Sequence, residues 1–328
     1  ALLSSFPPGG LPGLLRAVLA RPLRSMTTQI HPTAVLEDGV ELGVDVTIGP
    51  HCFIAAGTAI GDRTQIGPQA TIAGRVRIGA DNRIGPKINI SGNTRIGDRN
   101  VIFGSASLGT APQDLSYRGE ATRLEIGDEN TIREFVTINR GTVKGGGVTR
   151  IGNNCLLMAC CHVAHDCDVR NHVILANNVL LAGHVLVEDR ANVAGGAAAH
   201  HFVTIGRFAY VGGVTRMPQD VPPFMIFEGH KPRVRGVNVV GLKRSGVPAE
   251  RIAAVREAFR LIFRDRRADR PRREVLAQVS ALFPQVPEVQ MLVESLRKTE
   301  LGPKGRYRET LREEFQRQGR RDILGESV

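Results

Sequence analysis

Residues 42–72 read LGVDVTIGPHCFIAAGTAIGDRTQIGPQATI, and an aliphatic side chain returns at every sixth position. Stepping by six from Leu42 meets Ile48, Ile54, Ile60, Ile66, Ile72, Ile78, Ile84, Ile90, Ile96, Ile102 and Leu108. If about a quarter of residues are large aliphatics, twelve in succession arise by chance on the order of once in ten million. The phase returns at Ile126, Ile132 and Ile138, then slips by one residue after RGTVKGGG. A third run follows: Ile151, Leu157, Val163, Val169, Leu175, Leu181, Val187, Val193, Ala199, Ile205, Val211 and Met217. A period of six suits neither an α-helix nor a hairpin sheet. It suits a solenoid in which each hexad is a short strand plus a corner, with the aliphatic residue inward and a small residue beside it at the turn. Three hexads close a triangular coil, so residues 18 apart stack about 4.8 Å from one another. The expected fold is an all-β solenoid of hexapeptide repeats over 30–227, followed by helices.

Two segments interrupt the repeat, 110–123 (TAPQDLSYRGEATR) and 139–150 (NRGTVKGGGVTR). Loops leaving a rigid scaffold are where sites usually sit. After about residue 227 the hexads stop, and 228–245 reads as a connecting segment. Ile252, Val255, Phe259 and Ile262 then fall at helical spacing, and two further helices are expected around the breaks at Pro284 and Pro287. This α-helical domain is expected over 246–300. Residues 301–328 form a charged tail with sparse apolar positions, a short helix or a loose end. Residues 1–29 contain no acid and carry Ser, Pro, Gly and Arg. They are expected to lie outside the fold, as an extension upstream of Met26 in preference to an organelle presequence.

Composition narrows the function. Hydrophobic residues make up 42%, which marks a globular chain. The formal charge of +11 favours anionic partners, but no nucleic-acid motif accompanies it, so nucleic acid is not expected. No run of about 18 apolar residues exists, and no transmembrane helix is expected. Four of the five cysteines fall within 155–167, unlike a secreted disulfide framework, and a reducing cytoplasm is expected.

That cysteine cluster includes ACCHVAHDC at 159–167. Its soft ligands suggest a metal. The six-residue frame sends them in different directions, so no metal is expected and Cys155, Cys160 and Cys167 read as packed thiols. Stacking by 18 is more informative. His165 falls under Gly183, Gly183 under His201, and Asp166 under His184. A histidine beside a carboxylate is poised as a general base. A glycine N–H one coil away suits a developing oxyanion.

Four stretches are more specific than the hexads: PQDLSYRGEATRLEIGDENTIREFVTINRGT (112–142), HVAHDC (162–167), LANNVLLAGHV (175–185) and QDVPPFMIFEGHKPRVRGVNVVGLKRSG (219–246). Together they resemble the acyl-ACP:UDP-N-acetylglucosamine O-acyltransferases of lipid A biosynthesis, from about His31 to about Lys298. The resemblance implies a left-handed β-helix, against the usual right-handed crossover. It implies transfer of a 3-hydroxyacyl chain from acyl-carrier protein to the sugar 3-hydroxyl, the first step of lipid A synthesis, with no cofactor. His165 would be the base, Asp166 its orienting partner and the Gly183 amide the oxyanion donor. Asp114 would hold the sugar, and His162 would lie near the reacting hydroxyl. His184, His200 and His201 would line the groove. Asn238 and Arg244 would reach the nucleotide, and Gly213 would admit a long acyl chain. The implied assembly is a homotrimer with sites between subunits, served by a carrier protein. Ser116, Asn139, Val240 and Ser245 replace the family's usual Lys, His, Glu and Arg. Another UDP-sugar, such as a 3-amino sugar, therefore stays open as the acceptor, and so does an idle trimeric scaffold.

Overall fold

The computed structural model describes residues 27–265 and 270–324. Residues 1–26 and the last four residues of the tail lie outside it. Short parallel strands run from Gln29–Ile30 to Met225–Glu228 and stack into three sheets, and Arg233–Val237 adds an antiparallel edge strand to the first, so the sheets hold twelve, ten and nine strands. Successive strands pass from one sheet to the next, as the hexads require. Gln29 pairs with Thr47, Arg83 with Val101 and His162 with Leu180, each 18 residues on. Across the first insertion the register lengthens, and Ile96 pairs with Ile126. Across the second, Ile126 pairs with Ile151. The hexad phase survives the first insertion because its extra length is a multiple of six. The second insertion is not, and the phase slips.

Each hexad buries two side chains. The aliphatic positions are buried, and so are the residues two before them, such as Val46, Cys52, Thr58, Thr64 and Ala70. The second slot is narrow and selects small side chains. One column of it is polar. Asn82 Oδ1 accepts from Asn100 N and Nδ2 at 2.9 and 3.0 Å. Asn100 Oδ1 accepts from Asn130 N and Nδ2 at the same distances. Asn130 Oδ1 accepts from Cys155 N at 2.8 Å. Stacked carboxamides of this kind satisfy buried backbone donors that the corner leaves open.

The cysteines occupy this second slot. Cys52, Cys155, Cys161 and Cys167 are buried, with their thiols 3.0–3.1 Å from the carbonyls of Gly67, Arg170, Ala176 and Ala182. Burial pushes Cys155 and Cys161 up to about 11 and Cys167 to about 12, so these thiols stay protonated. Cys160, expected to pack, is exposed at a corner with φ of 63°. Its neighbour Cys161 holds the inward slot instead.

Beyond the coil, the helices Val239–Arg244, Ala249–Phe259, Arg272–Leu282 and Pro287–Leu301 share a second core. Pro287 opens the last of them, where a missing N–H costs nothing. Arg251 and Glu288 close this unit with a two-pronged ion pair. Through its described residues the tail is helical rather than loose. Tyr307–Leu311 forms a 3₁₀ turn and Arg312–Leu324 a helix. No helix among the described residues is long and apolar enough to cross a membrane.

Candidate active site

Both insertions leave the coil at the same corner, between the ten-strand and nine-strand sheets. The first joins Ser107–Thr110 to Arg123–Ile126, and the second joins Thr137–Asn139 to Val148–Ile151. His165 and Asp166 turn this corner one coil later. Gly183 and His184 follow, then His201 and Phe202. One edge of the prism therefore gathers the loops and the histidines. Arg140 ties the two insertions together, donating to Tyr117 Oη at 2.9 Å and to the Gly109 carbonyl at 2.8 Å.

At the centre, His165 Nδ1 lies 2.7 Å from Asp166 Oδ2. The Asp166 side chain is fully buried, and its oxygens are all engaged. Thr142 N donates to Oδ1 at 2.7 Å and Thr142 Oγ1 to Oδ2 at 2.6 Å. Thr149 Oγ1 accepts from Asp166 N at 2.8 Å, and a Cβ on Gly145 would fall 1.9 Å from Asp166 Cγ. The second insertion thus folds down onto the carboxylate and fixes it. The carboxylate fixes the ring, which leaves His165 Nε2 for a substrate.

Gly183 lies directly over that ring. A Cβ there would sit 2.5 Å from His165 Cε1 and 2.9 Å from Nε2. Amides at the equivalent place on another corner are capped by side chains, as Asn171 N is by Asp189 Oδ1 at 3.1 Å. The Gly183 amide donates to no atom among the described residues.

A cavity of about 490 Å³ opens over this centre. His165, His184, His200, His201, Asp114 and Phe202 line it, with Gln113, Leu115, Lys144, Arg312 and Gln316. His184 meets His165 edge-on at 5.2 Å and stacks on Phe202 at 4.3 Å. His162 is half-buried beneath, with Nδ1 2.8 Å from Thr137 Oγ1. Gly213 turns a different corner of the coil. Asn238 caps the helix Val239–Arg244, accepting from Gly241 N at 3.0 Å and donating to the Phe208 carbonyl at 2.8 Å. Arg244, at the end of that helix, is exposed. Neither Asn238 nor Arg244 lines the cavity of its own chain.

His165, Asp166 and His184 also offer three ligand atoms within 4.8 Å of one another. The donors already on both Asp166 oxygens suit a hydrogen-bonded carboxylate better than a metal ligand. Burial pushes His184 down to about 4, with Asp166, 3.8 Å away, only partly opposing it. Between pH 6.5 and about 4 the unfolded chain therefore binds a proton that the folded chain refuses. Stability should fall as pH drops through this window, by on the order of 3 kcal/mol. Buried Asp220, raised to about 6, tilts the opposite way. The measurement is the difference in thermal midpoint between the parent and His184→Gln. It should shrink as pH falls from 6.5 to 4, and a constant difference would contradict a neutral buried His184.

Sequence relatives agree with this geometry. Residues 220–304 match the family pattern described as Udp N-acetylglucosamine O-acyltransferase, domain 2, and residues 57–87 and 149–183 match the bacterial transferase hexapeptide pattern. An acyl-[acyl-carrier-protein]–UDP-N-acetylglucosamine O-acyltransferase of Anaeromyxobacter is 47% identical over 203 residues, covering 62% of this chain and 78% of that one. The Synechocystis protein of the same name is 45% identical over 197 residues, covering 60% and 70%. The chain belongs to the acyl-ACP–UDP-N-acetylglucosamine O-acyltransferase family. Among solved structures, the Arabidopsis UDP-N-acetylglucosamine acyltransferase superposes with a TM-score of 0.75 at 36% identity, covering 82% of this chain and 96% of that one. The Bacteroides fragilis acyltransferase follows at 0.72 and 34%, covering 82% and 97%.

Within this acyltransferase, two of the four divergent positions acquire a local explanation. Ser116 donates to Asp114 Oδ1 through its amide and hydroxyl, both at 2.7 Å. A cation reaches Asp114 from the other insertion, Lys144 Nζ at 3.4 Å from Oδ2. These contacts, Ser116 first, hold the Asp114 carboxyl down at about 2. Asn139 is buried and donates to Thr110 Oγ1 and the Ala111 carbonyl at 2.9 and 2.8 Å, which starts the first insertion on its path. Val240 and Ser245 lie on the exposed face and end of the helix Val239–Arg244, and nothing in this chain's cavity touches them. Sequence reasoning missed Thr142, Thr149, Gly145 and Lys144. All four belong to the flagged glycine-rich loop, but which of its atoms turn toward Asp166 depends on the loop's path.

Proposed function

We propose that this acyltransferase moves a 3-hydroxyacyl chain from acyl-carrier protein to the 3-hydroxyl of UDP-N-acetylglucosamine. The observation that carries the reading is the His165–Asp166 pair beneath the uncapped Gly183 amide, with His165 lining the cavity. In the reaction, His165 Nε2 takes the hydroxyl proton as the sugar oxygen attacks the thioester carbonyl. Asp166 steadies the imidazolium that forms, and the Gly183 N–H receives the carbonyl oxygen as it gains charge. The tetrahedral intermediate collapses, the C–S bond breaks, and His165 returns its proton to the departing thiolate. No cofactor is required, because the thioester supplies the activated acyl group. The Asp114 carboxylate suits sugar hydroxyls.

The reading includes a homotrimer. Asn238 and Arg244 lie away from their own chain's cavity, so a nucleotide role for them needs a neighbour's cavity. Exposed Leu115, Phe135, Leu180 and Val214 offer apolar surface for such contacts. The reading also places the reaction in a reducing compartment such as the cytoplasm, with an acidic carrier protein docking on a basic enzyme. The test is a panel of UDP-sugars assayed with acyl-ACP thioesters of several lengths, on protein of measured mass in solution. UDP-N-acetylglucosamine should be the preferred acceptor. A preference for a 3-amino sugar would replace the acceptor, absence of any turnover would leave an idle scaffold, and a monomeric active enzyme would remove the shared site.

A further inference from the structure

The family pattern ends at residue 304, yet the chain beyond it forms part of the cavity wall. It is pinned along the coil at successive points. Gly305 O accepts from Asp220 N at 2.8 Å, and Arg306 Nη1 donates to the Pro218 carbonyl at 3.0 Å. Tyr307 N donates to Asp220 Oδ2 at 3.0 Å, and Arg308 Nε to the His184 carbonyl at 3.2 Å. The helix Arg312–Leu324 then lies on the turn Val143–Gly145. Gly319 packs so closely there that a Cβ would fall 2.1 Å from the Val143 carbonyl oxygen.

This path carries Arg312 to the cavity. Its guanidinium carbon lies 4.6 Å from the Phe202 ring centre, and Phe202 stacks on His184. One Nη donates to Glu309 Oε1 at 2.8 Å, while Arg306 holds the other oxygen of that carboxylate. The rest of the fork donates to no atom among the described residues. Among the lining residues the acid is Asp114, and Lys144 and Ser116 already answer it. An aromatic-backed guanidinium with one arm tethered and the other facing an acid-poor cavity is a fixed receptor for an oxyanion.

The geometry points to Arg312 as a substrate-binding residue that takes a phosphoryl oxygen. That oxygen comes from the sugar-nucleotide diphosphate or from the phosphopantetheine phosphate of the carrier. The assignment rests on the acyl-transfer reading above for its substrates. It adds a binding group from a segment outside the matched family pattern.

The test uses the full chain and the variants Arg312→Ala and Arg312→Lys. The alanine variant should raise the KM of one phosphorylated substrate about tenfold, with kcat and thermal midpoint nearly unchanged. The lysine variant should recover part of the loss. The substrate whose KM moves identifies the source of the phosphate. Calorimetric titration with UDP, and separately with 4′-phosphopantetheine, reads the same contact without turnover. If the parent fails to turn over but binds one probe in an Arg312-dependent way, the acyl-transfer reading falls and the anion site stands. If alanine leaves both KM values and both titrations unchanged, or if the losses track a lowered thermal midpoint with no recovery by lysine, Arg312 is not a substrate-binding residue.

Discussion

Replacing His165 with alanine should lower kcat by about 10²- to 10⁴-fold while leaving KM for both substrates within a few fold, the range expected for loss of a positioned base. The structure makes this a clean deletion. Asp166 keeps both donors from Thr142 at 2.7 and 2.6 Å, so the carboxylate stays held when the imidazole is gone. The second insertion, which rests on that carboxylate, keeps its anchor. The thermal midpoint should therefore move little, and steady-state rates with acyl-ACP and UDP-N-acetylglucosamine separate chemistry from folding. Turnover within a factor of a few of the parent enzyme would dismiss His165 as the base.

Gly183→Ala should cost about 10²-fold in kcat although it removes no functional group, the scale associated with misplacing a reacting group by about an ångström. The added methyl would lie 2.5 Å from His165 Cε1 and 2.9 Å from Nε2, inside any real contact distance. The ring has no easy retreat, because its Nδ1 is tied to Asp166 at 2.7 Å. The variant keeps its backbone N–H, so a large loss reports displacement of the imidazole rather than loss of the oxyanion donor. Residual activity near that of the parent would mean that the ring yields at little expense, and that its place over Gly183 is not critical. A crystal structure of the variant would show the imidazole rotated away from the Gly183 amide.

Much of this site could be read from the period alone. Residues 18 apart stack, so His165, Gly183 and His201 form one column and Asp166 and His184 the next. The structure adds that Phe202 continues the second column. The cysteines show where such reading stops. Period six says that two directions alternate, but not that the residue two before each aliphatic also turns inward. Cys161 rather than Cys160 therefore enters the core, because the corner places Cys160 at positive φ and turns it to solvent.

The rest of the site depended on contacts between segments with no shared period. Thr142, Thr149 and Gly145 meet Asp166 because a seven-residue excess in the coil must fold back somewhere. Lys144 meets Asp114 because both insertions leave the same corner. The tail reaches His184 and Phe202 through chance of path rather than pattern, since its charged sequence carries no apolar periodicity to announce where it docks.

By itself the sequence determined the solenoid, its coil register and the columns of the histidine corner, because a repeating backbone turns spacing along the chain directly into distance in space. Only the tertiary structure decided what surrounds that corner. The insertions, Lys144 and Arg312 arrive from outside the repeat, and nothing in local spacing encodes where a non-repeating segment comes to rest.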